Sequence, residues 1–139
     1  MHLVFDSNLP PKLAKGISIL EEGNKRSPIP AKVSHVHDFL DPHTLDPKII
    51  EEAGKHHWII ITQDLGFGRI EHEFTILKEH KVSVIFLRVP PNRGMSYWEM
   101  VQTFISKWEN LKATIKETGM PCALVIEKTG GIKHLEHIH

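Results

Sequence analysis

Cys122 is the chain's lone cysteine, so no intramolecular disulfide framework staples it. No apolar run is long enough to span a bilayer, and no charged leader with an apolar core opens the chain. A cytoplasmic protein without membrane contact is expected. Charge of one sign is not in excess: 17 Lys and Arg balance 17 Asp and Glu. That balance argues against a strongly basic nucleic-acid binder but leaves room for a local basic face. Hydrophobic residues make up 40% and charged residues 24%, within the soluble globular range. The 139 residues suffice for one domain with a real core, and the expected domain is 1–139. The ending "LEHIH" resembles a purification-tag remnant, so His137 and His139 carry no weight.

Charge is uneven along the chain. Pro10 to Lys32 holds Lys12, Lys15, Lys25, Arg26 and Lys32 against Glu21 and Glu22. Val36 to Gly54 holds Asp38, Asp41, Asp46, Glu51 and Glu52 against Lys48. Two solvated faces explain this, and so does an acidic centre beside a basic track.

Periodicity predicts the architecture. "HLVF" reads as a short buried strand. Leu9, Leu13, Ile17 and Leu20 recur at helical spacing, with prolines near the start and Gly23 at the end. "KVSHV" is a weaker strand. "DPKIIEEAGKHH" reads as a helix with Asp46 as its cap and Pro47 in its first position. "WIIIT" is a continuous β-branched run, as a strand covered on both faces requires. Arg69 to His80 reads as helical and "VSVIFL" as a further strand. Ser96 is placed to cap a long helix carrying a stripe of Trp98, Val101, Ile105, Trp108, Leu111 and Ile115. Met100 and Phe104, on a neighbouring face with Trp98 and Trp108, offer a dimer contact. "ALVIEKTGGIKHLEHI" reads as a hairpin turning at Gly130–Gly131. The expected fold is α/β: a three-layer α/β/α sandwich with a mainly parallel sheet and a C-terminal β-hairpin.

In open α/β sheets, sites form beyond the carboxyl ends of the strands. Asp6 follows "HLVF" and Asp64 follows "WIIIT". If those strands are neighbours, both carboxylates enter one crevice. Asp46 stands at the head of the helix that leads into the second strand. At an effective dielectric of about 20, two unit charges 4 Å apart repel by roughly 4 kcal/mol. A retained proton or a divalent ion must offset that. All-oxygen ligation suits Mg²⁺ or Mn²⁺, and such ions suit phosphodiester chemistry. Any one of these aspartates taken alone is equally a helix cap.

"FDSNLPPKLA" resembles the opening of a PIN-like family of small bacterial proteins, whose usual pattern is D-E-N-L-P followed by a helix. "LDPKIIEEAGKHHWIIITQDLGFG" is similar to the family's D-x-x-I-x-x-x-A, a strand, then T-x-D-x-D-F. Here that gives Asp46, Ile49 and Ala53, then Thr62, Asp64 and Phe67. The resemblance implies a PIN-type fold with an acidic metal pocket. It also implies an Mg²⁺- or Mn²⁺-dependent ribonuclease, with many bacterial relatives being toxins of toxin–antitoxin pairs. Carried over by position, Asp6, Asp46 and Asp64 are the metal-binding carboxylates. Asn8 and Thr62 orient them or the bound water. Two positions depart from the pattern: Ser7 replaces the usual Glu, and Gly66 replaces a second Asp after Asp64. Asp38 or Asp41 is available to compensate for the second.

The mechanism expected on this basis is metal-assisted hydrolysis of an RNA phosphodiester. Single-stranded RNA would lie with phosphates along Lys12, Lys15 or Arg69. The alternative is a catalytically weak or inactive relative that binds an antitoxin or a second copy of itself. A third reading is a phosphate-accepting receiver-like domain. It meets a poor context, because "VIFLRVPP" offers Arg88 where a lysine is expected. The 11 histidines include His35 and His37, which would share a face on a strand. Without cysteine partners or an H-E-x-x-H pattern, they read as surface or hydrogen-bonded side chains. Arg93–Gly94 sits in a proline-stiffened connector within reach of the strand ends.

Overall fold

A computed structural model describes residues 1–64, 75, 77–90 and 92–135, with Asp64 described by its backbone. The strands are β1 (His2–Phe5), β2 (Lys32–His35), β3 (Ile59–Asp64), β4 (Ser83–Arg88), β5 (Ala123–Glu127) and β6 (Gly131–His134). Between them lie α1 (Pro11–Gly23), a 3₁₀ turn (Val36–Asp38), α2 (Asp46–His56) and α3 (Tyr97–Thr118). Of the segment expected to be helical from Arg69 to His80, residues 75 and 77–79 are helical, and 69–74 and 76 lie outside the described residues.

The strands form one sheet in the order β2-β1-β3-β4-β5-β6. All pairs are parallel except β5 with β6, the terminal hairpin. Gly130 and Gly131, with φ of 100° and 92°, take its turn through a region that side chains disfavour. The chain leaves β1 toward β2 on one side and later returns to build β3 on the other. The gap between the carboxyl ends of β1 and β3 is therefore a topological switch point, where the chain leaves an opening.

Alternation along the strands divides the core into two layers. Leu3, Phe5, Ile59, Ile61, Ile85 and Leu87 face Leu13 and Ile17 of α1 and Phe104, Leu111 and Ile115 of α3. Val4, Ile60, Val84 and Phe86 face the other way, with Ile49 and Ala53 of α2, Trp58 and Leu77. Helices thus cover both faces, as the α/β/α expectation requires. Among the described residues no helix is long and apolar enough to cross a membrane.

Three details differ from the sequence reading. The buried face of α3 carries Met100, Phe104, Trp108, Leu111 and Ile115, while Trp98 is 72% and Ile105 54% exposed. Two apolar stripes overlap on this helix, and hydropathy alone does not choose between them. Packing does: the Phe104 ring lies 5.1 Å from that of Phe5. On α1, Leu20 of the expected stripe is exposed, while Leu13 and Ile17, with Leu9 just ahead of the helix, are buried in the core. The cap of α2 is Leu45, without a side-chain bond, so Asp46 is the first helical residue and Pro47 follows it. An aspartate there still meets the positive end of the helix dipole.

The ends of α3 behave as the sequence suggests. Ser96 accepts from the Glu99 amide, and Glu99 returns a bond to the Ser96 amide. Edge strand β2 is guarded as well, since Asp38 Oδ2 accepts the His35 amide at 3.0 Å and so covers a donor open to strand pairing.

Candidate active site

The site begins where β1 runs out. The Asp6 amide still bonds to Ile61 O at 2.8 Å, one step beyond the last strand pair, Phe5 with Ile61. The chain then turns: the Leu9 amide closes back on Asp6 O at 3.0 Å. Leu9 is buried, and its own carbonyl accepts from His35 Nε2 at 2.9 Å. The His35 ring accepts the His37 amide on Nδ1 at 3.1 Å. A carbonyl only accepts and an amide only donates, so these two partners place the ring proton on Nε2. His35 is the hydrogen-bonded histidine that the sequence suggested. His37 lies in the 3₁₀ turn rather than on β2, and the two rings pack edge to face at 4.5 Å.

Asn8 extends the ladder with its side chain. Its Oδ1 accepts the Gln63 amide at 3.2 Å, and its Nδ2 donates to Gln63 O at 3.2 Å. The carboxamide thus stands in for the next peptide group of β1. That pairing fixes which way the amide faces, because the Gln63 N–H requires an oxygen opposite it. Nδ2 therefore also donates to Thr62 Oγ1, at 3.1 Å.

Thr62 is 4% exposed and carries one hydroxyl proton. Two acceptors compete for it: Asp6 Oδ2 at 3.0 Å and Asn8 Oδ1 at 3.3 Å. The carboxylate is closer and charged, so it wins. The result is a relay from the Gln63 backbone through Asn8 and Thr62 to Asp6. The other carboxylate oxygen, Oδ1, accepts the Ser7 amide at 2.8 Å. Each oxygen keeps lone-pair capacity for a further partner. Asp6 is thus a half-buried carboxylate of fixed orientation at the switch point, which fits one ligand of a hard divalent ion.

Asp64 holds the last position of β3, in register with Arg88 of β4. It therefore ends the strand adjacent to Asp6's, at the same edge of the sheet. Its side chain lies outside the described residues, as do Gly66, Phe67 and Arg69. Asp46 is exposed at the start of α2. That helix reaches β3 through His57 and Trp58 alone, so its first turn is set toward the carboxyl edge. Among the described residues, no three His, Cys, Asp or Glu side chains gather in a way that could hold a metal ion. Asp38 and Asp41 have local tasks: Asp38 caps the His35 amide, and Asp41 Oδ1 accepts the His43 amide at 2.9 Å. Lys12 and Lys15 are exposed on α1 and line a cleft of about 420 Å³ against β2, with Glu22 and Asp38 on its rim. Arg93, in the proline-stiffened connector, is forked onto Glu99 at 3.3 and 3.1 Å.

A family model described as "PIN like domain" matches residues 1–89. The chain belongs to the PIN-like family. The matched segment runs from β1 to just past β4, so it contains every element of the Asp6 relay in this PIN-like chain. No curated protein and no solved structure matches the chain.

Two participants escaped the sequence reading. The Gln63 backbone is invisible to any motif, since only register brings it opposite Asn8. Ser7 departs from the family pattern in its side chain, yet its amide holds Asp6 whatever side chain it carries.

Proposed function

We propose that this PIN-like protein is a ribonuclease dependent on Mg²⁺ or Mn²⁺ that hydrolyses phosphodiesters of single-stranded RNA in the cytoplasm. It would act as one domain over 1–139, a reading supported by the pairing of β5 onto β4 beyond the matched segment. The observation that carries it is the Thr62 hydroxyl held on Asp6 at the β1–β3 switch point. A threonine and an asparagine are spent on aiming one carboxylate into the opening where sites of such sheets form.

Asp6, Asp46 and Asp64 would hold the ion. When bound, it supplies a lowered pKa for a water and polarises a phosphoryl oxygen. Thr62 and Asn8 keep the Asp6 carboxylate from rotating, so its free lone pairs stay directed at one place. Lys12, Lys15 and Arg69 would meet RNA phosphates, adding affinity that falls with salt. A role as the toxin of a toxin–antitoxin pair accords with the family.

The test is cleavage of a labelled RNA in Mn²⁺ by the wild type, Asp6→Asn and Asp64→Asn. Both variants should keep the fold and lose metal-dependent cleavage. Unchanged cleavage by either removes its carboxylate from the site.

A second reading is a non-catalytic PIN-like module that binds an antitoxin or forms a homodimer. Gly66 in place of a family carboxylate favours it, as do Trp98 and Ile105 exposed on α3. A thermal melt separates the two. An ion at about 100 times its dissociation constant adds roughly 2.7 kcal/mol, so an unmoved melt in millimolar Mn²⁺ supports the module.

A further inference from the structure

Among the described residues, two buried side-chain nitrogens have no hydrogen-bond partner: Arg88 Nε and His37 Nε2. Both belong to the carboxyl edge of the sheet, Arg88 as the last residue of β4 and His37 just beyond β2. In the strand order they flank β1 and β3, whose ends carry Asp6 and Asp64. Folded proteins leave few buried donors unpaired. Two such nitrogens stand at one edge, on either side of a fixed carboxylate, and at Arg88 the rest of the guanidinium opens to solvent, where a ligand can meet it.

Arg88 is the more telling of the two, because a guanidinium only donates. Among the described side chains, the carboxylate that faces it is that of Glu127, whose Oε1 is 3.8 Å from Nε, too far for a hydrogen bond. Glu127 is shared besides, with Lys133 Nζ at 3.6 Å. The Arg88 side chain is 41% exposed, so its outer nitrogens reach solvent while Nε does not. By contrast, Arg93 and Lys128 are both committed to Glu99. The register sets Arg88 opposite Asp64, one strand from β3 and two from β1, or about 5 and 10 Å across the sheet.

We infer that Arg88 is a substrate-binding residue whose guanidinium forks onto a phosphate of the RNA strand beside the carboxylate site. The assignment rests on the nuclease reading above. It uses what distinguishes arginine from lysine, a planar fork that matches two phosphate oxygens. It also accounts for an arginine in "VIFLRVPP", where, among the described residues, no structural partner fully engages it.

The experiment measures fluorescence anisotropy of a labelled, mixed-sequence 12-nucleotide single-stranded RNA in Ca²⁺, with cleavage in Mn²⁺ measured in parallel. The full chain is compared with Arg88→Gln, Arg88→Lys and Glu127→Gln across a salt series. Arg88→Gln should raise Kd about tenfold or more and flatten the log–log salt slope by about 0.7. Arg88→Lys should recover the slope but only part of the affinity. Glu127→Gln, which keeps the guanidinium and removes its protein neighbour, should bind RNA at least as tightly as wild type. Arg88→Gln binding with wild-type Kd and slope overturns the assignment. Should that variant fail to fold, wild-type Kd and KM in Arg88→Lys overturn the fork instead. Failure of the wild type to bind the RNA at all sinks the nuclease reading itself. Loss of cleavage in Asp6→Asn with no effect at Arg88 sinks this inference alone.

Discussion

Thr62 Oγ1 lies 3.0 Å from Asp6 Oδ2, joining residues that are 56 apart in sequence, one just past the end of β1 and the other inside the neighbouring β3. The contact exists because β1 and β3 pair in parallel, so the residue after Phe5 meets the residue after Ile61. Thr62→Val keeps the shape and β-branching but deletes the hydroxyl. Asp6 then loses a donor, and Asn8 Nδ2 loses one of its acceptors. Stability should fall by about 1–2 kcal/mol and, at the proposed metal site, Mn²⁺ affinity by about tenfold. Urea unfolding and a metal-dependent melt measure the two effects. Thr62→Ser should restore most of both.

Asn8 makes a sharper comparison. Asn8→Ala removes the side chain's bonds to the Gln63 backbone and lets water replace them at an exposed position. Asn8→Asp instead sets acceptor oxygens against Gln63 O and Thr62 Oγ1, and a second charge beside Asp6. The isosteric change should therefore be the worse one, by about 1 kcal/mol or more. Equal midpoints for the two variants in urea would contradict the orientation assigned to the amide.

These two residues show what was legible from sequence. The strand ends, the order of elements and the identities of Asp6, Asn8 and Thr62 followed from β-branched runs and a two-part motif. The direction of each bond did not, because Gln63 acts through its backbone and any residue there has the same N–H and C=O. Helix α3 illustrates the opposite limit. Its two apolar stripes are equivalent in hydropathy, and only the Phe5 ring beneath Phe104 selects the buried one. Asp46 was legible as a helix start but displaced by one position, since proline fits the second helical position as well as the first: the N–H it lacks has no partner within the helix at either.

Lys112 is fully buried on α3. It donates to Glu21 Oε1 at 2.6 Å, Ser27 Oγ at 3.0 Å and Ile29 O at 2.9 Å. Trp108 Nε1 donates to the same glutamate oxygen at 2.6 Å. Burial opposes both charges. Hydrogen bonds prevail, holding Glu21 below the ordinary carboxylate range and Lys112 above the ordinary amine range. The cluster pins α1 and the following connection to α3. Lys112→Met fills the space yet leaves Glu21 a buried charge without its ammonium, and should cost about 3–5 kcal/mol. Adding Glu21→Gln should recover part of that loss. A double-mutant cycle in urea measures the coupling, and strict additivity would argue that the pair contributes little.

Glu99 gives a pH dependence with a defined sign. Hydrogen bonds from Lys128 and Arg93, then from the Ser96 amide, hold its carboxyl well below the ordinary 4.5, at about 2. The folded state therefore binds the proton less readily than the unfolded chain. The stabilisation is fully present above about pH 4.5 and is lost as pH falls from there through about 2. Glu99 caps α3 while Lys128, in the β5–β6 turn, bonds to it, so protonation loosens the helix start and the hairpin together. Urea midpoints measured from pH 6 down to pH 2 should fall for the wild type. Glu99→Gln should start lower and fall less over the same range, because the group that titrates is gone. Parallel curves for the two proteins would mean that other carboxylates, Glu21 foremost, carry the acid sensitivity.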